Sequence, residues 1–213
     1  MIEYLPRLIP EPGPRRGGAG DDHPMRQVTR KAAFEPDSWD RPTAQRVAEL
    51  FDGLAAEWHT RSSEPRMAPV ADAWERGGSI PVGRWLEVGS GSGLVTGWLS
   101  ERTDTVIADD LAMEMLRQAP PAAGPRLRAD ASRLPFPDGA LEAVWLINAL
   151  LFPAETARVV APGGAVIWVN TSGPGTPIYL AAEDALRAMG VGWAGVASEA
   201  AFGTWAVLRR FAQ

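Results

Sequence analysis

Apolar residues fall along this chain in two rhythms. Between residues 47 and 58, Val47, Leu50, Phe51, Leu54, Ala55 and Trp58 recur at i, i+3, i+4, i+7, i+8 and i+11, a stripe on one face of a helix. Asp40 precedes it as a plausible N-cap, and Pro42 is tolerated in a first turn, where no intrahelical N–H is needed. A second helical pattern runs from about Met67 to Arg76 and stops at Gly77-Gly78, a good C-terminal signal. From Val82 onward the rhythm changes. Short apolar runs predict strands at 82–88, 104–109, 126–129, 141–147, 164–170, 191–197 and 203–210, and helical patterns fill 94–101, 112–118, 154–160 and 179–189. Such alternation argues for an α/β fold with a mostly parallel sheet covered by helices on both faces. The link Ser198 to Phe202 leaves no room for a crossover helix, so the last two strands pair as an antiparallel hairpin.

Composition narrows the partners. The 213 residues carry a net charge of −5 and show no stripe of arginine alternating with aromatics, which disfavours nucleic acid. There is no cysteine, so disulfides, thiolate zinc sites and a cysteine nucleophile are excluded. With two histidines, a metal site would need a carboxylate set, and no spacing offers one; no metal is expected. Residues 1–14 lack the apolar run of a signal peptide, and no run approaches a membrane span. The expectation is a cytoplasmic protein with a small-molecule substrate and no membrane partner. Pro and Gly dominate residues 6–24. The expected organisation is therefore a disordered tail over 1–30, a helical cap over 31–80 and a core over 81–213. A tail folded over a ligand is the alternative.

The richest stretch is Trp85-Leu86-Glu87-Val88-Gly89-Ser90-Gly91-Ser92-Gly93. An apolar strand runs into three alternate glycines, which allow a strained turn and close approach of backbone N–H groups to a ligand. A dinucleotide fingerprint would need glycine at position 94, where the chain has Leu94, so a nicotinamide-dependent oxidoreductase is a weak reading. Glu87 suits a cationic, amino-bearing ligand better than a pyrophosphate. The next apolar run ends in Asp109-Asp110, and Asp110 lies 21 residues after Gly89, far enough on for one helix and one strand to bring an acid to a ribose. The third run ends in Asp130-Ala131. Beyond the turn-rich Leu134–Gly139 and the fourth run comes Ala157-Arg158-Val159-Val160-Ala161-Pro162-Gly163-Gly164.

These four elements, in this order and spacing, resemble the motifs of the class I S-adenosylmethionine-dependent methyltransferases over about residues 45–213. The resemblance implies S-adenosylmethionine as cofactor and a Rossmann-like seven-stranded sheet of order 3-2-1-4-5-7-6 with the last strand antiparallel. It assigns Glu87, Gly89, Ser90, Gly91 and Gly93 to the cofactor cradle, Asp110 to the ribose, and Asp130 and Ala131 to the adenine, with Leu111 a further cofactor-binding residue. Asn148, after the fourth strand, would position the methionyl group. The segment Phe51–His59 is similar to one that caps the cofactor in many members, so Trp58 would close over the methionyl part and His59 would serve as base. The plainer reading is a core-facing Trp58 beside a surface histidine. Tyr179 lies where members often contact the acceptor.

The stretch Asn148-Ala149-Leu150-Leu151-Phe152 departs from the Asn/Asp-Pro-Pro-aromatic signature, which disfavours methylation of adenine or glutamine nitrogens. It also lacks the histidine that many small-molecule members carry there. The implied activity is methyl transfer to an oxygen, carbon or nitrogen of a small metabolite. The alternative is a non-catalytic cofactor-binding subunit that assists a partner.

Overall fold

The computed structural model describes residues 1–14, 17–18, 20, 22–121 and 124–210. Eight strands form one sheet: β1 (Ile2–Tyr4), β2 (Arg84–Val88), β3 (Thr105–Asp110), β4 (Arg126–Arg128), β5 (Leu141–Ile147), β6 (Val160–Asn170), β7 (Trp193–Ala200) and β8 (Gly203–Arg210). Their order is β1-β7-β8-β6-β5-β2-β3-β4. The seven strands expected from the sequence thus stand in the expected order, and only β8 runs against its neighbours. The helices are α1 (Pro24–Phe34), α2 (Arg41–Leu54), α3 (Glu64–Arg76), α4 (Thr96–Ser100), α5 (Met113–Gln118), α6 (Pro153–Val159) and α7 (Ala182–Met189). None is long and apolar enough to cross a membrane among the described residues.

The central strands are apolar on both faces because both faces are covered. Along β5, Val144 and Leu146 join Val159 of α6 and Ala185 of α7 in one cluster. Ala143, Trp145 and Ile147 point the other way, towards Val70 and Ala73 of α3 and Leu99 near the end of α4. Of the nine tryptophans in the sequence, Trp85, Trp145, Trp168 and Trp205 are fully buried in these layers. The Trp205 indole N–H donates to Asp72 at 2.7 Å and so ties α3 to β8. Helix α3 is therefore part of the core, although it falls within the expected 31–80 cap.

The N-terminus corrects the expectation of a disordered tail for the residues described. Strand β1 extends the sheet as an edge strand parallel to β7, with Ile2 opposite Gly195, and Leu5 N–H donates to the Ala197 carbonyl at 2.9 Å. Arg7 makes ion pairs with Glu11 and Glu199, and Ile9 bridges to Ala200. Prolines are compatible with this course because an edge strand needs donors on one side only. Helix α1 also begins inside the expected tail. Its Arg26 donates to the carbonyls of Pro174 and Thr176 at 2.6 and 3.1 Å, which fastens it to the loop after β6. Residues 15, 16, 19 and 21 of that tail lie outside the described residues.

Helix α2 starts as expected, with Asp40 accepting from Thr43 N–H at 2.8 Å. It ends at Leu54, earlier than the apolar stripe, and the chain continues as a 3-10 turn over Ala55–Arg61.

Candidate functional site

A cavity of about 420 Å³ opens at the carboxyl ends of β2, β3, β4 and β5, beneath α1, α2 and the 3-10 turn. That edge is where strand order reverses, with β3 and β5 on opposite sides of β2. Ligands in open parallel sheets bind at this point because the loops on either side diverge.

The turn after β2 forms one wall. Gly89, Gly91 and Gly93 have φ of 64°, 57° and 74°, a left-handed region costly for other residues. A Cβ on Gly91 would lie 2.9 Å from Trp58 Nε1, and one on Gly89 would lie 3.0 Å from the Ala149 Cβ. The backbone here is bare and closely approached. Gly93 N–H closes the turn onto the Ser90 carbonyl at 3.0 Å, and Gly93 is not itself on the wall.

Three acids face the same space. Glu87 is 3 % exposed and accepts a hydrogen bond from the Thr96 hydroxyl. Burial pushes its carboxyl up to about 7; the Thr96 bond and the charge of Arg66 oppose the rise, and Asp110 adds to it. Asp110 accepts Gly91 N–H and Ala112 N–H, each at 2.8 Å, and so fixes the glycine turn to the loop after β3. Burial raises its pKa too, against those backbone bonds. Each carboxylate oxygen has two lone pairs, so acceptor capacity remains for ligand hydroxyls. Asp130, at the end of β4, accepts Ser132 N–H at 2.9 Å and the indole N–H of Trp39. A fourth acid on the wall, Asp109, is 1 % exposed, and burial followed by the Asp110 charge pushes it up to about 8.

Leu111, Ala131, Asn148 and Trp58 also line the cavity. Asn148 adopts a φ of 53°, and its side chain is clasped to Thr171: its amide donates to the hydroxyl and its carbonyl accepts the Thr171 N–H, both at 2.8 Å. Its fixed part is thus to lock the loops after β5 and β6 together.

Two expected residues fall elsewhere. His59 is exposed and absent from the wall. In a 3-10 turn residues i and i+3 eclipse, so Ala55, Trp58 and Arg61 share the inner side and His59 is turned out. This removes the placement that a base at His59 would need. Tyr179 is half-buried beneath the Arg26 guanidinium, 4.9 Å from its ring centre, while its neighbour Ile178 meets the cavity. The wall residues that were not expected include His23, Trp39 and Arg66. His23 caps α1, its Nδ1 accepting Met25 N–H at 3.2 Å. Each precedes or opens a helix and stands outside any periodic pattern, so nothing in the sequence marked it.

The stripe of α2 has an unexpected target. Val47, Leu50, Phe51 and Leu54 line the cavity, and Leu50 remains 47 % exposed. These side chains roof a binding space and are not driven into the core.

The residues fit the cofactor that the motifs imply. Side chains on Gly89 and Gly91 would fill the cradle, the Ser90 hydroxyl is buried without a partner, and the acids on the wall offer acceptors of the kind that amines and ribose hydroxyls need.

Comparison with known proteins agrees with this geometry. Residues 86–168 match the family described as a methyltransferase domain. The chain is 32% identical over 146 residues to the biotin biosynthesis bifunctional protein BioHC of Cellvibrio japonicus, covering 64% of this chain and 29% of that protein. It is 28% identical over 145 residues to the demethylmenaquinone methyltransferase of Mycolicibacterium gilvum, covering 62% of this chain and 63% of the relative. The chain thus spans less than two thirds of the length of either curated relative. Among solved structures, the DhpI–SAH complex superimposes with a TM-score of 0.63 at 22% identity, covering 80% of this chain and 98% of the other. Motif set, sheet order and these likenesses agree: the chain has the fold of the class I methyltransferases, and its residues 86–168 are similar to a methyltransferase domain.

Proposed function

We propose that this protein transfers a methyl group from S-adenosylmethionine to an oxygen, carbon or nitrogen of a small, largely apolar metabolite. The observation that carries this reading is the convergence of Glu87, Asp110 and Asp130 with the glycine turn on one cavity. The apolar character of the acceptor follows from the roof of Val47, Leu50, Phe51 and Leu54 and from the facing Leu150, Phe152 and Ile178.

The bound cofactor supplies an electrophilic methyl group, and the protein's task is alignment. Fixed geometry of this kind contributes about 7–11 kcal/mol. In this reading Glu87 holds the amine, Asp110 the ribose and Asp130 with the Ala131 backbone the adenine. Asn148 supports the methionyl end through its clasp on Thr171. Trp58, packed on Gly91, closes the sulfur side from water. Among the wall residues the histidine is His23. Its Nδ1 already accepts a backbone N–H, so the neutral ring carries its proton on Nε2 and presents a donor there. The wall therefore orients an acceptor oxygen or nitrogen better than it deprotonates one.

The test is equilibrium binding of S-adenosylmethionine, followed by incubation with a metabolite panel and detection of S-adenosylhomocysteine. Binding with turnover on a small apolar acceptor is expected. No binding at millimolar ligand overturns the reading. Binding without turnover on any acceptor favours the second reading, a cofactor-binding subunit that assists a partner, for which the purely apolar Leu150–Phe152 after β5 speaks.

A further inference from the structure

Helix α2 overhangs the cavity instead of closing on the core. Its small apolar members Ala44 and Ala48 are buried, while Leu50 and Leu54 stay 47 % and 37 % exposed although both line the cavity. The apolar face of an amphipathic helix is ordinarily covered. Large apolar side chains gathered at the mouth of a pocket mark a surface that a ligand completes. Val47, Leu50 and Leu54 follow one another at i, i+3 and i+7, so the row runs along the helix for about 10 Å, at about 1.5 Å per residue. Phe51, beside them, packs on the buried cluster of Met25, Leu150, Phe152 and Ile178. The exposed row is therefore continuous with the apolar interior of the cavity.

Charge is unevenly spread over the wall. Glu87, Asp109, Asp110 and Asp130 stand at the strand ends, Arg66 feels the Glu87 charge, and Arg61 lies close to Arg66. The wall built by α1, α2 and the loops after β5 and β6 carries, among the described residues, no aspartate, glutamate, lysine or arginine. An ion drawn there would lose its hydration without meeting a counter-charge. Asn148 and Thr171 hydrogen-bond to each other, and the Thr176 hydroxyl accepts Ser172 N–H at 3.2 Å. The His23 ring adds a donor at Nε2, because its Nδ1 is engaged by Met25 N–H.

We infer that the methyl acceptor is a neutral, chain-bearing molecule, with an oxygen-bearing head at His23 and an apolar chain that leaves the cavity along Val47, Leu50 and Leu54. This rests on the cavity being the methyl-transfer site. The chain covers the two exposed leucines, so part of the recognition lies at the mouth and chain length sets acceptor preference.

Calorimetry on the full chain tests it. The protein is saturated with S-adenosylhomocysteine and then titrated with para-alkylphenols from methyl to octyl, and with the para-alkylbenzoates of the same chains. Phenol affinity climbs about two- to fourfold per added methylene and levels off once the chain outruns the row, and each benzoate binds about tenfold or more weakly than its phenol. Leu50→Asn combined with Leu54→Asn cuts the gain per methylene; both side chains are exposed, so the fold tolerates the change. His23→Asn keeps an acceptor for Met25 N–H but removes the Nε2 donor, and lowers every phenol by a similar factor, about fivefold, without altering the gain per methylene. Affinity indifferent to chain length, or a gain untouched by the double variant, overturns the inference. Benzoates that bind as tightly as phenols overturn it too. If S-adenosylhomocysteine binds and no phenol does, the acceptor inference falls alone; if S-adenosylhomocysteine itself does not bind, the cofactor reading beneath it falls as well.

Discussion

The indole N–H of Trp39 is shared between the two carboxylate oxygens of Asp130, at 3.1 and 3.0 Å. The Trp39 ring also meets Phe152 edge to face, with centroids 5.0 Å apart. One residue between α1 and α2 thus pins the cap to the ends of β4 and β5. Trp39→Phe keeps the aromatic contact and removes the donor. A loss of about 1 kcal/mol is expected for a partly solvated bond to a charged group. It is read from the midpoint of urea unfolding, and Trp39→Phe and Asp130→Asn should be non-additive in a double-mutant cycle.

Asp110→Ala removes two acceptors at once, because the carboxylate bridges Gly91 N–H and Ala112 N–H. Cofactor affinity should fall by about 1.5–3 kcal/mol, on the order of 10- to 100-fold. Titration calorimetry with S-adenosylmethionine measures it, and wild-type affinity would show that the loop after β3 does not contact the ligand.

Gly91→Val places a β-branched residue at a φ of 57° with its Cβ against the Trp58 indole nitrogen. The backbone strain alone is about 1–3 kcal/mol, and the displaced indole should open the sulfur side of the cavity. Cofactor binding should disappear while far-ultraviolet circular dichroism stays close to wild type. Retained binding would place the ligand away from this turn.

The buried acids make stability depend on pH in a definite direction. Burial lifts Glu87 to about 7 and Asp109 to about 8, whereas unfolded carboxylates titrate near about 4. Over that interval the folded chain binds more protons than the unfolded one. The stability these groups contribute is complete below the unfolded value and is lost as pH rises through the folded values. The melting temperature of the ligand-free protein should therefore fall between about pH 5 and about pH 8. Glu87→Gln should flatten the slope. Cofactor affinity should run the opposite way, rising through about pH 7 as Glu87 ionises to meet the ammonium.

How far the sequence could be read depended on the kind of interaction. Glu87, Asp110 and Asp130 were legible because strands of a parallel sheet end at one edge, so an acid closing each run must arrive there. The glycines were legible because the tight turn after β2 demands positive φ at alternate positions. A base at His59 rested on the likeness of Phe51–His59 to a capping segment, which does not say which way the ring points; past Leu54 the chain tightens to three residues per turn and turns His59 outward, as the plainer reading of a surface histidine has it. The N-terminal strand escaped notice because three residues in a proline-rich stretch carry no period, and their partner, β7, is almost the whole chain away.

The sequence alone determined the seven later strands, the glycine turn and the three acids that meet at the cavity, because each follows from local pattern and from the rule that parallel strands share a carboxyl edge; the order of the sheet came only from the family resemblance. Only the tertiary structure decided which side chains close the cavity. Trp39, Arg66 and His23 reach it from segments without periodicity, and Glu199 and Ala200 hold the chain's first residues on the sheet edge. Contacts of that kind depend on where distant segments meet in space, and neighbouring residues along the chain carry no record of them.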